Sequence, residues 1–244
     1  DFCVASNAIL ETFSKNYEIF NLPYLFASPE AYHHVMDDPE VTGPIYESTK
    51  KAGFTAVTWL DAGTRNFYTI DRPIESPADL RGLKIRVQQS PTNIEMMKLL
   101  GGSATPMGFG DVYTALQSGI IDGAENNWPS YESTAHYEVA KYYTIDEHNR
   151  VPELQLVSQA TWEKLTKEDR DIIRECAQES SRYERKLWEE RERTSEEKVR
   201  AAGCQVVELP PEEKARFQEA VTSMYGKYCA EYVDVIDAIV AVGK

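Results

Sequence analysis

Along this chain the spacing of apolar residues switches repeatedly between the alternation of a strand and the three-and-four repeat of a helix. Residues 54–60 (FTAVTWL) and 65–70 (RNFYTI) are β-branched and aromatic runs that predict strands, and 83–87 (LKIRV) predicts another. Between them lie helical stretches with recognisable ends. Ser28 caps a helix over 29–36 with Pro29 in its first turn, and a second helix over 41–52 stops at Gly53. Residues 92–100 predict a helix ending at Gly101-Gly102, and 111–117 one closed by Gly119. Strands alternating with helices point to an α/β fold with parallel sheets covered on both faces.

The second half changes character. After a strand over 151–158 (VPELQLVS), the run from Thr166 to Ala202 contains neither Gly nor Pro. Thr166 with Asp169 three positions on makes a capping-box start, and Gly203 a stop. At 1.5 Å per residue such a helix is roughly 50 Å long, more than one small domain buries. Ile172, Cys176, Tyr183 and Leu187 share one stripe of it, which predicts the face laid across two lobes. A coiled coil is the alternative, but the apolar repeat is not a sustained heptad. Residues 211–242 predict further helix.

Composition narrows the function classes. With 244 residues, 42% hydrophobic, the chain can bury one large core or two modest ones. No apolar run approaches the roughly 20 residues that cross a bilayer. A net charge of -14 opposes nucleic acid and anionic lipid, and it gives an anionic ligand no long-range attraction. Cys3, Cys176, Cys204 and Cys229 form no CxxC pair and have no His at zinc-ligand spacing, so neither metal nor cofactor is expected. An oxidising compartment would permit any pairing of them, while packed free thiols are the simpler reading. The opening run Asp1–Ala5 has the pattern of a buried strand, without initiator Met or signal peptide, and is read as lying inside a longer protein.

The candidate chemistry is concentrated between Gly63 and Ser158. In Lys84-Ile85-Arg86-Val87, alternation sends Ile85 and Val87 to one face and Arg86 to the other. A guanidinium there could clamp a carboxylate with two parallel charge-assisted bonds, or it could be an ordinary strand arginine on solvent or paired with an Asp. Asp122-Gly123-Ala124-Glu125-Asn126-Asn127 ends a strand at a turn, where the amide of Asn126 can donate to a carboxylate and accept from a hydroxyl. Asn127 has two readings, ligand contact or cap of the helix beginning near Pro129. Trp128 could stack on a sugar ring or fill a crevice. Ser6 and Asn7 close the opening strand as hydroxyl and amide donors. Glu125 could serve as a general acid in a carbohydrate-active enzyme, but the chain has no GxSxG, HExxH, P-loop or GxGxxG after a strand.

With DLRGLKIRV followed by ATPMGFGDVYTALQSGIIDGAEN, the chain resembles the solute-binding subunits of tripartite ATP-independent periplasmic (TRAP) transporters, the DctP family. The likeness runs from Asp1 to about Gly203. It implies a two-lobed periplasmic binding protein fold with hinge strands and a long helix spanning both lobes, and a first lobe whose N-terminal part is missing from this chain. Residues 1–62 then belong to lobe 1, 63–150 mainly to lobe 2, 151–165 to a hinge strand, 166–203 to the interdomain helix, and 204–244 to a C-terminal strand and helices.

The resemblance makes Arg86 the carboxylate-binding arginine and Asn126 the ligand-binding asparagine. Arg65 stands where sialic-acid binders carry a second arginine, with one extra residue between the two here, and Phe109 matches a ligand-packing aromatic. His148 falls where the family often has a histidine, and hinge hydrogen bonding is its first reading. Among family members, RVQQSP, AENNWPSY and EHNRVPE look most like those that bind glucuronate or galacturonate, ahead of the C4-dicarboxylate, keto-acid and sialic-acid binders. A non-enzymatic periplasmic protein is therefore expected, monomeric, taking a small organic acid and handing it to the two TRAP membrane subunits.

Overall fold

A computed structural model describes residues 1–228. Its strands are β1 (Phe2–Ser6), β2 (Phe54–Leu60), β3 (Arg65–Thr69), β4 (Lys84–Val87), β5 (Ser103–Pro106), β6 (Gly123–Asn126), β7 (Tyr142–Asn149), β8 (Glu153–Ser158) and β9 (Gln205–Glu208). They form two sheets. A three-stranded sheet has the order β1-β8-β2, and a six-stranded sheet the order β5-β4-β6-β3-β7-β9.

The large sheet is mixed and the small one antiparallel, which corrects the expectation of parallel pairing. β4 runs parallel to β5 and β6, and β7 to β9, whereas β3 is antiparallel to both its neighbours and every pair in the small sheet is antiparallel. The reason is the crossings. Strands that leave one sheet for the other, β2 to β3 and β7 to β8, return against the direction set by the local βαβ units.

Helix ends follow the sequence closely. Ser28 accepts from Ala31 N at the start of the helix Pro29–Asp37, and Ser90 accepts from Asn93 N at the start of Pro91–Leu99. Helix Pro39–Glu47 and a short 3-10 turn replace the single predicted helix over 41–52, and Gly53 stops them at φ +93°. The helix Lys167–Ala201 has 35 residues and the full Thr166/Asp169 capping box.

Its buried face differs from the predicted one. Ala177, Ser181, Ser195 and Val199 face the lobes, while Ile172, Tyr183 and Leu187 are 52%, 66% and 54% exposed and Cys176 also faces outward. Small residues let the long helix approach the sheets closely, and its larger apolar side chains are left on the outside. Strand β1 is likewise an edge strand with Phe2 and Val4 exposed, not the buried strand expected. Cys3 is an exposed thiol as well and Cys204 is half-buried, so the packed-thiol expectation fails at Cys3 and Cys176. Cys229 and the predicted helix beyond Tyr228 lie outside the described residues.

Two cores support the site. One joins the small sheet and its helices to one face of the large sheet, with Tyr17, Phe20, Tyr32, Phe67, Met97 and Leu154 buried together. The other lies between the large sheet and the long helix around Tyr68, Tyr131, Tyr143 and Val199. Full burial of each such side chain stabilises by about 1.5–3 kcal/mol.

Where the chain crosses between sheets, polar groups are knitted together. Asp61 takes both bonds from Arg150 Nη1 at 3.0 and 2.9 Å, lies 2.6 Å from His33 Nε2, and accepts from Gly63 N. The long helix joins in, because Glu184 accepts from the backbone N–H of Asp61.

Candidate functional site

Arg86 is buried on β4, next to the edge strand of the large sheet, beside Ala124 of β6 and Thr105 of β5. Ile85 and Val87 fill the core, so alternation turns Arg86 to the other face, as the sequence predicts. Its Nε and Nη2 both donate to the carbonyl of Met107, at 3.2 and 2.9 Å. No carboxylate pairs with it among the described residues. Burial lowers its pKa, with Glu125 opposing and Arg65 adding to the effect. A desolvated cation costs several kcal/mol unless an anion joins it. Phe109, 44% exposed, lies with its ring centroid 5.8 Å from the guanidinium carbon and offers an apolar wall beside it.

Arg65 has a different occupation. It starts β3 and holds Glu125 by a fork, Nε to Oε2 at 2.5 Å and Nη2 to Oε1 at 2.9 Å, with Nη2 also on the Glu125 carbonyl. Burial pushes the Glu125 carboxyl up, but Arg65 and His148 outweigh it and hold the group at about 2. An ionised carboxylate with both oxygens engaged cannot lend a proton near neutral pH, which removes the physical basis for Glu125 as a general acid.

His148 stands behind this pair. Its Nδ1 meets Asp146 Oδ2 at 2.7 Å, its Nε2 is 3.5 Å from Glu125, and its ring stacks on Phe67 at 4.4 Å. Burial lowers its pKa, and the two carboxylates more than reverse this, raising it to about 9. The buried chain Asp146, His148, Glu125, Arg65 therefore alternates charge and braces β6 against β3 and β7.

Asn126 ends β6 in the neighbourhood of Arg86. Its Oδ1 accepts from Asn127 N at 2.9 Å, while its Nδ2 has no hydrogen-bond acceptor among the described residues. Asn127 takes the capping role: Oδ1 accepts from Ser130 N and Nδ2 donates to Ala62 O, both at 2.8 Å. Trp128 is stacked on Tyr143 with centroids 3.8 Å apart, inside the core and not in a crevice.

Asn7 is fully buried, with Nδ2 given to Tyr17 O and Asn21 Oδ1, so it is corrected from pocket donor to structural amide. Ser6 Oγ accepts from Gln88 Nε2 at 2.9 Å. That bond joins the edge of the small sheet to the segment just after β4.

Gln88 and Glu153 were missed in the sequence. Gln88 was legible in principle, since it lies two positions past Arg86 and shares its side of an extended run. Glu153 was not, because only the sheet register sets it opposite Ser6.

Arg86 is thus a buried arginine with no carboxylate partner among the described residues, carried on a two-lobed α/β fold of the periplasmic binding protein type. The chain belongs to the DctP family, bacterial extracellular solute-binding proteins of family 7, whose model matches residues 1–231.

It is 45% identical over 226 residues to an uncharacterized protein of Salmonella typhimurium, covering 92% of this chain and 68% of that protein. To a solute-binding protein of Chromohalobacter salexigens it is 38% identical, covering 89% and 64%. The chain thus spans about two thirds of these curated relatives. A TRAP periplasmic solute-binding protein from Anaerococcus prevotii, solved with bound D-glucuronate, superposes with a TM-score of 0.95 at 51% identity, covering 99% of this chain and 79% of that one. One from Xanthobacter autotrophicus with bound β-D-galacturonate gives 0.92 at 39%, covering 100% and 80%. Solute-binding proteins of this family are not enzymes.

Proposed function

We propose that this chain captures a hexuronate, glucuronate or galacturonate, as the periplasmic component of a TRAP transporter and delivers it to the two membrane subunits. The observation that carries the reading is Arg86, a buried guanidinium turned toward the meeting of the lobes with only a carbonyl as partner. An incoming carboxylate supplies the missing charge. The free Nδ2 of Asn126 donates to the same acid, and Phe109 covers the C–H face of the ring. Arg65, His148 and Asn127 act one step back: the first two hold Glu125 and the strands in register, and Asn127 ties the helix start to the crossing at Ala62.

In this reading residues 1–62 form lobe 1 and 63–150 mainly lobe 2, and the crossings at 61–64 and 151–165 are the hinge, the latter carrying β8 into the lobe 1 sheet between β1 and β2, with the helix 166–203 as its brace and the described residues after 204 packed back on the lobes. The working form is a monomer. The two solved relatives carrying glucuronate and galacturonate support the ligand class. Among the described residues no helix is long and apolar enough to cross a membrane, so the membrane step is assigned to partners.

Thermal unfolding against glucuronate, galacturonate, glucose, galactose, malate and a keto acid tests the assignment, because a ligand that binds only the folded state raises the midpoint by mass action. The two uronates are expected to stabilise and the neutral hexoses to have no effect, since without a carboxylate the buried donors stay unpaired. Equal shifts with glucose and glucuronate would defeat the carboxylate clamp. A larger shift with malate or the keto acid would keep the clamp and move the ligand to another acid class.

A further inference from the structure

We propose that Glu153, flanked by Ser6 and Gln88, forms a hydroxyl-binding subsite that makes this cleft select a polyhydroxylated acid over an acid without hydroxyls. The proposal deepens the uronate reading and rests on it.

The geometry begins with register. Ser6 of β1 and Glu153 of β8 are directly opposed in an antiparallel pair, so their side chains leave the same face of the small sheet. Leu154, the next residue, is fully buried in the core, which turns Glu153 the other way. The Ser6 hydroxyl meets Gln88 of the large sheet's side, and Gln88 shares its side of the strand with Arg86. Arg86, Gln88, Ser6 and Glu153 thus form a polar line running from one lobe to the other.

Glu153 has no cation to itself. The arginine that acts on it is Arg65, whose fork is already taken by Glu125. Burial pushes its carboxyl up to about 7, with Arg65 and the Ser6 hydroxyl pulling the other way. A half-buried carboxyl in that condition is an acceptor short of donors. Neutral O–H groups are the partners that satisfy it without adding charge, and two neighbouring hydroxyls of a sugar fit two carboxyl oxygens. A second carboxylate at the same place is repelled. A uronic acid has its carboxylate on one edge of the ring and free hydroxyls on the other, so Arg86 holds one end while Glu153 receives the other. Discrimination between a sugar acid and a dicarboxylate then belongs to lobe 1, and recognition of the acid group to lobe 2.

Titration calorimetry on the wild type, Glu153→Gln and Ser6→Ala, with D-glucuronate and succinate, tests this. Gln keeps the shape and one acceptor but loses the charge, so glucuronate affinity is expected to fall about tenfold or more. Succinate affinity is expected to stay level or rise. Glucuronate bound by Glu153→Gln within about threefold of wild type would overturn the subsite and leave the uronate assignment standing. Wild type that prefers succinate to glucuronate would overturn both. Circular dichroism and thermal unfolding establish that each variant is folded. Should Glu153→Gln fail there, Ser6→Ala carries the test: a loss for glucuronate and none for succinate supports the subsite, and unchanged glucuronate affinity overturns it.

Discussion

Two arginines lie near each other in this protein with opposite assignments, and the difference comes from their partners. Arg65 has a carboxylate, Arg86 has a carbonyl. Replacing Arg86 by Lys retains the charge but loses the planar fork, so uronate affinity should drop at least tenfold, about 1.4 kcal/mol, with the unfolding midpoint of the ligand-free protein little changed. Arg65→Ala should do the reverse at first measurement. It strands Glu125 in the core, and breaking a buried pair costs about 3–5 kcal/mol, which denaturant unfolding without ligand would register. If Arg65→Ala instead left stability intact and abolished binding, Arg65 would have to be moved into the ligand's first contacts.

Elements decide whether the lobes can move, and the crossing at Asp61–Thr64 is the most constrained of them. Gly63 has φ +63°, and a Cβ placed on it would lie 1.8 Å from Glu192 Oε1 of the long helix. Gly63→Ala should therefore lower the unfolding midpoint through strain and displacement of Glu192, a loss of about 1–3 kcal/mol. Glu192 carries a pH dependence of its own. Burial pushes its carboxyl up to about 7, Arg150 opposing and Asp61 adding to the rise. A carboxyl raised on folding contributes stability that is full below its unfolded value of about 4.3 and is lost as pH climbs through about 7. His148, raised to about 9, slopes the same way, its contribution full below about 6.5 and fading through about 9. The ligand-free protein should thus melt at a lower temperature at pH 8 than at about pH 5, and Glu192→Gln should flatten the part of that slope below about 7. Burial raises Glu153 and Glu184 to about 7 as well, so part of the slope should remain in the variant, and an identical slope would show that Glu192 contributes nothing to it. Much at this scale was legible beforehand. The cap at Ser28, the Thr166 box and the strands around Arg86 are local signals that the fold leaves intact. The outward face of the long helix was misread because Ala177, Ser181 and Ser195 are too small to mark a buried stripe, and Asn7 because its partners Tyr17 and Asn21 are known only once the chain turns back. Glu153 depends on strand register, which no single segment encodes.

For the whole molecule, the net charge of -14 means that an anionic sugar approaches against the field and is held only by what closes around it. Ser6 and Gln88 already touch across the cleft, and Glu11 of the small sheet's side accepts from Thr92 N and Oγ1 at the start of the helix Pro91–Leu99. If the lobes hinge as proposed above, opening should break these bonds while bending the crossings at 61–64 and 151–165. A ligand shifts that equilibrium only by its preference for the closed form. Uronate contacts both lobes in the assignment above, Arg86 on one and Glu153 on the other, so saturating glucuronate should reduce the radius of gyration measured by small-angle scattering. With Arg86→Lys at the same ligand concentration, a smaller fraction should close. Low salt should weaken binding of the anion and high salt relieve it, because screening acts on the unfavourable long-range field more than on the buried pair. A radius of gyration indifferent to saturating ligand, at any salt, would mean that the lobes form a rigid pocket and that recognition by the membrane subunits does not read closure.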